Sequence, residues 1–118
     1  MKASVKKVLT NTLVLIKALS SDITTLTNDT GWQTLSTKVV YRRIGKTVWV
    51  SFDGTSATTS NTNKGTLPVG CRPGRIIVWT PRSGNTSCTG YIDGNGIVWA
   101  AAPSSVSNLE GIVSFPVA

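Results

Sequence analysis

The sequence predicts a mainly β protein: an N-terminal helix that self-associates as a coiled-coil stalk, then an antiparallel head of the sandwich or jelly-roll-like kind. Three observations predict it. Residues 2–26 carry a seven-residue apolar repeat with no Gly or Pro inside it. From Asn28 onward, short alternating runs are cut by Gly- and Pro-bearing turns at the spacing of about eight to twelve residues found in two-sheet β domains. Charged residues make up only 14% of the chain, while Ser, Thr, Asn and Gly are abundant. That is the composition of a neutral-polar β surface rather than of a disordered tail.

The stalk is assigned to residues 1–28. With Lys2, Leu9, Ile16 and Ile23 at a, the d positions fall to Val5, Thr12, Leu19 and Leu26. A stripe two positions wide per heptad suits a helix packed on copies of itself better than one lying on its own domain. The segment would form a rod of roughly 38 Å. Two other readings use the same residues. Lys2, Lys6 and Lys7, an apolar Leu13-Val14-Leu15-Ile16 and Ala18-Leu19-Ser20 outline a secretory signal, but Thr10, Asn11, Thr12 and Lys17 break up its apolar block. A helix docked on the head is the other, since Thr24, Thr25 and Thr27 are weak helix formers. Ile at a and Leu at d lean towards two strands, a weak rule where polar residues share the seam.

The head is assigned to residues 29–118. Asn28-Asp29-Thr30-Gly31 stops the helix, and Trp32-Gln33-Thr34-Leu35 begins the first strand. Lys38 to Phe52 reads as a hairpin around Gly45-Lys46, its return strand placing Val48, Val50 and Phe52 on one face and Trp49 on the other. Asp53-Gly54 reads as a turn, and Ser56 to Asn63 as an edge strand or polar loop. Gly65 to Gly74, with its Gly and Pro residues, reads as an ordered crossing loop. Arg75 to Thr80 is an apolar strand ended by Pro81 to Asn85. Ser87 to Ile92 pairs through Asp93-Gly94-Asn95-Gly96 with Ile97 to Ala100, since Asp-Gly and Asn-Gly supply the positive φ such hairpins need. Pro103 to Asn108 is a polar loop, and Leu109 to Phe115 closes the fold.

Twelve Lys and Arg against five acids give a net charge of +7, a field that favours anionic partners. The positives are scattered, and no zinc-finger spacing, Arg-rich run or RNA-binding aromatic motif accompanies them, so nucleic acid is not expected. No apolar run is long enough to span a bilayer as a helix. Spacing leaves the pairing of Cys71 and Cys88 open, and two cysteines do not make a disulfide scaffold, so buried free thiols are expected. The chain contains no His. That removes the commonest general base and metal ligand.

Four stretches in order carry a resemblance: Tyr41-Arg42-Arg43-Ile44-Gly45, Gly65 to Pro73, Ile92 to Val98, and the closing strand Ile112 to Phe115. Across residues 31–118 the sequence resembles the receptor-binding head domains that close tail-fibre and baseplate proteins of tailed bacteriophages. The resemblance implies a homotrimer with a coiled-coil stem, a non-catalytic head that binds host cell-wall polysaccharide, contacts with other phage tail or baseplate proteins, and a place at the tail tip of the virion after assembly in the host cytoplasm. It moves the expected stalk from two strands to three. Members of that group are usually long, and this chain starts at a stalk. A structural tail component that binds no sugar, and a secreted bacterial β-sandwich lectin whose signal is cleaved after Ser20, are the competing functions.

Glycan hydrolysis needs two carboxylates about the scissile bond. The head offers Asp29, Asp53, Asp93 and Glu110, and helix-end and turn roles explain the three Asp residues, so no catalytic residue is assigned. A Ser or Cys nucleophile lacks a His partner. Asp93 to Gly96 lacks the later acid of a calcium loop, so neither metal nor cofactor is expected. Sugar binding without chemistry needs an aromatic face and hydrogen-bonding groups. Trp32, Tyr41, Trp49, Trp79, Tyr91 and Trp99 are the aromatic candidates, most of them equally explained as packing. Trp79 with Arg82 and Asn85, joined by Asp93 or Trp99 of the neighbouring hairpin, is the expected site. The polar stretch Ser56 to Asn63 is the next place to look.

Overall fold

The computed structural model describes Asn11, residues 15–17 and residues 28–118. Asn11 and residues 15–17 are helical, with Leu15 and Ile16 open to solvent in the single chain. The rest of the expected stalk, its seam, and the signal and docked-helix alternatives lie outside the described residues.

The described chain is mainly β. Its strands are β1 (Gln33–Ser36), β2 (Val39–Ile44), β3 (Thr47–Ala57), β4 (Thr62–Thr66), β5 (Ile77–Trp79), β6 (Arg82–Ser83), β7 (Thr86–Ser87), β8 (Thr89–Ile92), β9 (Ile97–Ala101) and β10 (Val106–Pro116), with one 3₁₀ turn at Val69–Cys71. They form two antiparallel sheets, ordered β1-β2-β3-β10-β6-β7 and β4-β9-β8-β5.

Alternation decides which face each strand buries. On β3, Val48, Val50 and Phe52 are fully buried and Trp49 points the other way, half-buried. On β8 and β9, Ile92, Val98 and Ala100 point inward while Tyr91, Ile97 and Trp99 point outward. These inward residues, with Val39, Leu67, Leu109 and Phe115, make one core shared by both sheets. Each buried Val, Leu or Phe contributes about 1.5–3 kcal/mol relative to exposure, and no disulfide assists them. Cys71 and Cys88 are free and buried in that core, as expected.

The β2–β3 hairpin closes at Ile44↔Thr47 around Gly45-Lys46, and the β8–β9 hairpin around Asp93 to Gly96, both at the expected places. Other boundaries differ from expectation. Asp53-Gly54 is not a turn. β3 continues through it to Ala57, and the β3–β10 register slips beside it, between Val106, Leu109 and Glu110. Gly54 sits at φ +92°, where a Cβ would meet the Asn108 side chain at 2.8 Å, so Asp-Gly serves a bulge here. The crossing loop starts later than expected, because Gly65 and Thr66 belong to β4. Pro81 to Asn85 does not merely end a strand. The chain leaves the four-stranded sheet at Trp79, passes buried Pro81, and enters the six-stranded sheet as the β6–β7 hairpin. The Cys88 amide donates to the Pro81 carbonyl at 2.8 Å, closing that excursion.

Candidate ligand-binding surface

The five expected site residues do not form one cluster. Trp79 faces the core, its ring 5.2 Å from that of Phe52 at an angle of 40°. A Cβ on Gly90 would lie 2.7 Å from the Trp79 ring, so the glycine is the space the indole occupies. The indole N–H is buried without a hydrogen-bond partner. Trp79 is therefore chiefly an inter-sheet packing residue, partly buried against the core. Arg82 and Asn85 are exposed on and beyond β6, in the six-stranded sheet. Arg82 stands in register with Glu110 on one side and Ser87 on the other.

Asp93 and Trp99 do come together. The Trp99 indole N–H donates to Asp93 Oδ2 at 3.1 Å, while Asp93 Oδ1 accepts the amides of Asn95 at 2.9 Å and Ile97 at 3.0 Å. Desolvation acts to raise the Asp93 pKa, but these three donors and the charge of Arg72 outweigh it and hold the carboxyl below its usual range. Trp99 in turn stacks on Tyr91, with centroids 6.0 Å apart and planes 17° from parallel. Registers Val78↔Tyr91, Tyr91↔Trp99 and Trp99↔Asn63 set these four residues in one row across the outer face of the four-stranded sheet. Val78 is 67% exposed and Asn63 is exposed. The row carries two near-parallel rings, one locked by a carboxylate, with an amide at one end.

A second aromatic row lies on the outer face of the six-stranded sheet. Arg42 is opposite Trp49 in register, and its guanidinium sits 5.9 Å from the centre of the Trp32 ring. Asp29 engages Arg42 through both carboxylate oxygens and accepts the Gly31 amide. Arg42 foremost, then that amide, lowers the Asp29 pKa to about 2. Through Nε and one terminal nitrogen, Arg42 ties Asp29 down and anchors the entry into β1.

Two of the carboxylates are brought side by side by strand pairing. Asp53 and Glu110 are cross-strand partners on β3 and β10, a juxtaposition the turn assignment of Asp53 did not foresee. Asp53 accepts the Ser51 hydroxyl at 2.6 Å. Among the described residues no group of three or more His, Cys, Asp or Glu is arranged to hold a metal, and no helix is long and apolar enough to cross a membrane.

Tyr91 stands among the aromatic candidates and Asn63 ends the polar stretch of the sequence, and the strand registers bring both, with Val78, beside Trp99. No family model matches the chain, and no curated protein matches it in sequence.

Proposed function

We propose that this chain is a non-catalytic, trimeric recognition head of a tailed bacteriophage, carried on a coiled-coil stalk and binding saccharide on the host cell surface. The observation that carries the reading is the Tyr91–Trp99 stack on an outward sheet face, with Trp99 pinned by Asp93. Pyranose rings present C–H faces that stack on such surfaces, and Asn63 beside the stack supplies hydroxyl recognition. A stalk joining three heads would give three equivalent sites, whose avidity compensates for individually weak sugar contacts. The order of the hairpin and loop motifs across residues 31–118, and the apolar heptad positions before them, support the same reading.

The test is binding of the labelled full chain to a glycan array and to a panel of whole bacterial cells. Binding that falls sharply in Trp99→Ala and Tyr91→Ala, while Trp32→Ala binds as the parent does, supports the stack as the site. Equal binding by all three variants refutes it.

A second reading is favoured by one observation. Ile76 and Val78 are exposed apolar residues next to the stack. In that reading the face joins another tail or baseplate protein and takes no sugar, and the array stays blank.

A further inference from the structure

Charged side chains are almost never fully buried without a partner, because removing an ammonium from water costs several kcal/mol unless something replaces its hydration. Lys64 is packed away along its stem, with only its ammonium end keeping contact with solvent. It is 8% exposed, and it makes no ion pair and donates no hydrogen bond to another described residue. It lines a cavity of about 380 Å³ at the edge between the sheets.

The cavity is built by the fold's irregularities. Ser36 ends β1 and donates its hydroxyl to the Lys64 carbonyl, tying β1 to β4. The turn that follows holds Lys38 at φ +58° and is braced by the Thr55 hydroxyl, which donates to the Thr37 carbonyl at 3.3 Å. The Gly54 bulge forms the opposite wall, and Ser107 completes it from the start of β10. Two lysines and several hydroxyls line the space, with no carboxylate among them. Ser56, Asn63 and Ser107 also line it, and Ser56 and Asn63 bound the polar stretch that the sequence marks as the second place for a ligand.

We propose that this cavity is a second binding site, one that takes an anionic sugar unit: its acid group lies between Lys64 and Lys38, and its hydroxyls meet Ser56 and Ser107. An anion supplies the counter-charge that the chain leaves out, and charge-assisted hydrogen bonds from ammonium groups are about twice as strong as neutral ones. The space greatly exceeds one small ion, and its hydroxyl-rich wall suits a polyhydroxylated carrier. Burial holds the Lys64 pKa below its usual value, the direction expected of an ammonium without a counter-ion. The carrier being a saccharide rests on the reading above; the anion site does not.

The test titrates the full chain with glucose 6-phosphate, glucuronate and glucose at constant ionic strength. Binding is followed by calorimetry and by the side-chain NMR signals of Lys64, which also report its pKa. At least one anionic sugar is expected to bind, to raise the Lys64 pKa, and to weaken about tenfold in Lys64→Met. The phosphate and carboxylate arms identify which acid group the site takes. Lys38→Gln guards against a misfolded Lys64 variant and is expected to weaken binding in the same direction. Neutral glucose binding as well as its acids, or binding undiminished in both variants, or no response at Lys64, overturns the proposal. Inorganic phosphate added alone separates the two readings. If it shifts Lys64 while no saccharide binds anywhere on the protein, the anion site stands and the saccharide reading falls.

Discussion

Asp93 holds Trp99 in place from within the same hairpin, six residues away along the chain, through one indole N–H donated to one carboxylate oxygen at 3.1 Å. The same carboxylate closes the turn by accepting two amides. Ring orientation and turn geometry therefore depend on one side chain. Asp93→Ala should destabilise the head by about 2 kcal/mol, the scale of losing charged hydrogen bonds, measured as a shift in the urea midpoint. Asp93→Asn should retain more stability yet change the Trp fluorescence, because an amide replaces the charged acceptor. Since the folded pKa of Asp93 is depressed, its contribution is present above the usual carboxylate pKa and is lost as pH falls through the lower folded value.

Gly90 should not tolerate a side chain. A Cβ there meets the Trp79 ring at 2.7 Å, inside contact distance, so Gly90→Ala should cost about 1–3 kcal/mol by overpacking. Combining it with Trp79→Leu should recover part of that loss, and a double-mutant cycle in urea measures the coupling. Strict additivity would mean that the two residues do not share the space.

The carboxyl of Asp29 should titrate near pH 2 by NMR and return towards its ordinary value of 3.8 in Arg42→Gln. The folded value lies below the unfolded one, so the pair's contribution is complete above about pH 4 and disappears as pH falls towards 2. An Asp29 midpoint unchanged by the Arg42 substitution would contradict the assignment.

Cys71 and Cys88 are buried apolar groups, so reductant should leave the melting temperature where it is. Burial pushes the Cys71 thiol pKa up, with nearby Arg43 only partly opposing it, so native alkylation should be slow and should accelerate on unfolding.

Light scattering of the intact chain should return a trimer mass, and Ile16→Asp, which places a charge in the middle of the proposed seam, should lower it. A monomer mass for the parent would remove the stalk from the proposed function.

Where turn chemistry and alternation agree, the fold was legible in the residues. Val48, Val50 and Phe52 announce their shared face, and Gly45-Lys46 and Asp93 to Gly96 announce their hairpins. Asp53-Gly54 misleads because the left-handed glycine that makes a turn also makes a bulge, and only pairing with β10 distinguishes them. Trp79 was unreadable for another reason. Ile76-Ile77-Val78-Trp79 is apolar at every position, so periodicity cannot say that Val78 faces out and Trp79 in. Asp93 and Trp99 were legible as site candidates because one hairpin carries both. Lys64 was invisible, since its surroundings come from β1, β3 and β10, remote in sequence.

The middle of the six-stranded sheet is the β3–β10 ladder, which pairs Val50 with Val113 and Thr47 with Pro116. Partners about sixty residues apart must find each other, and closing so large a loop precedes the reward of the contacts it makes. Folding should accordingly be slow for a domain of this size, on the millisecond-to-second scale of non-local β topologies. On the ribosome, β3 must wait with a bare edge until its partner is synthesised, and its Val48, Val50 and Phe52 face has no complete cover in the interval. That interval, rather than the finished fold, is where this protein is exposed to misassembly and where a chaperone would find its binding segment.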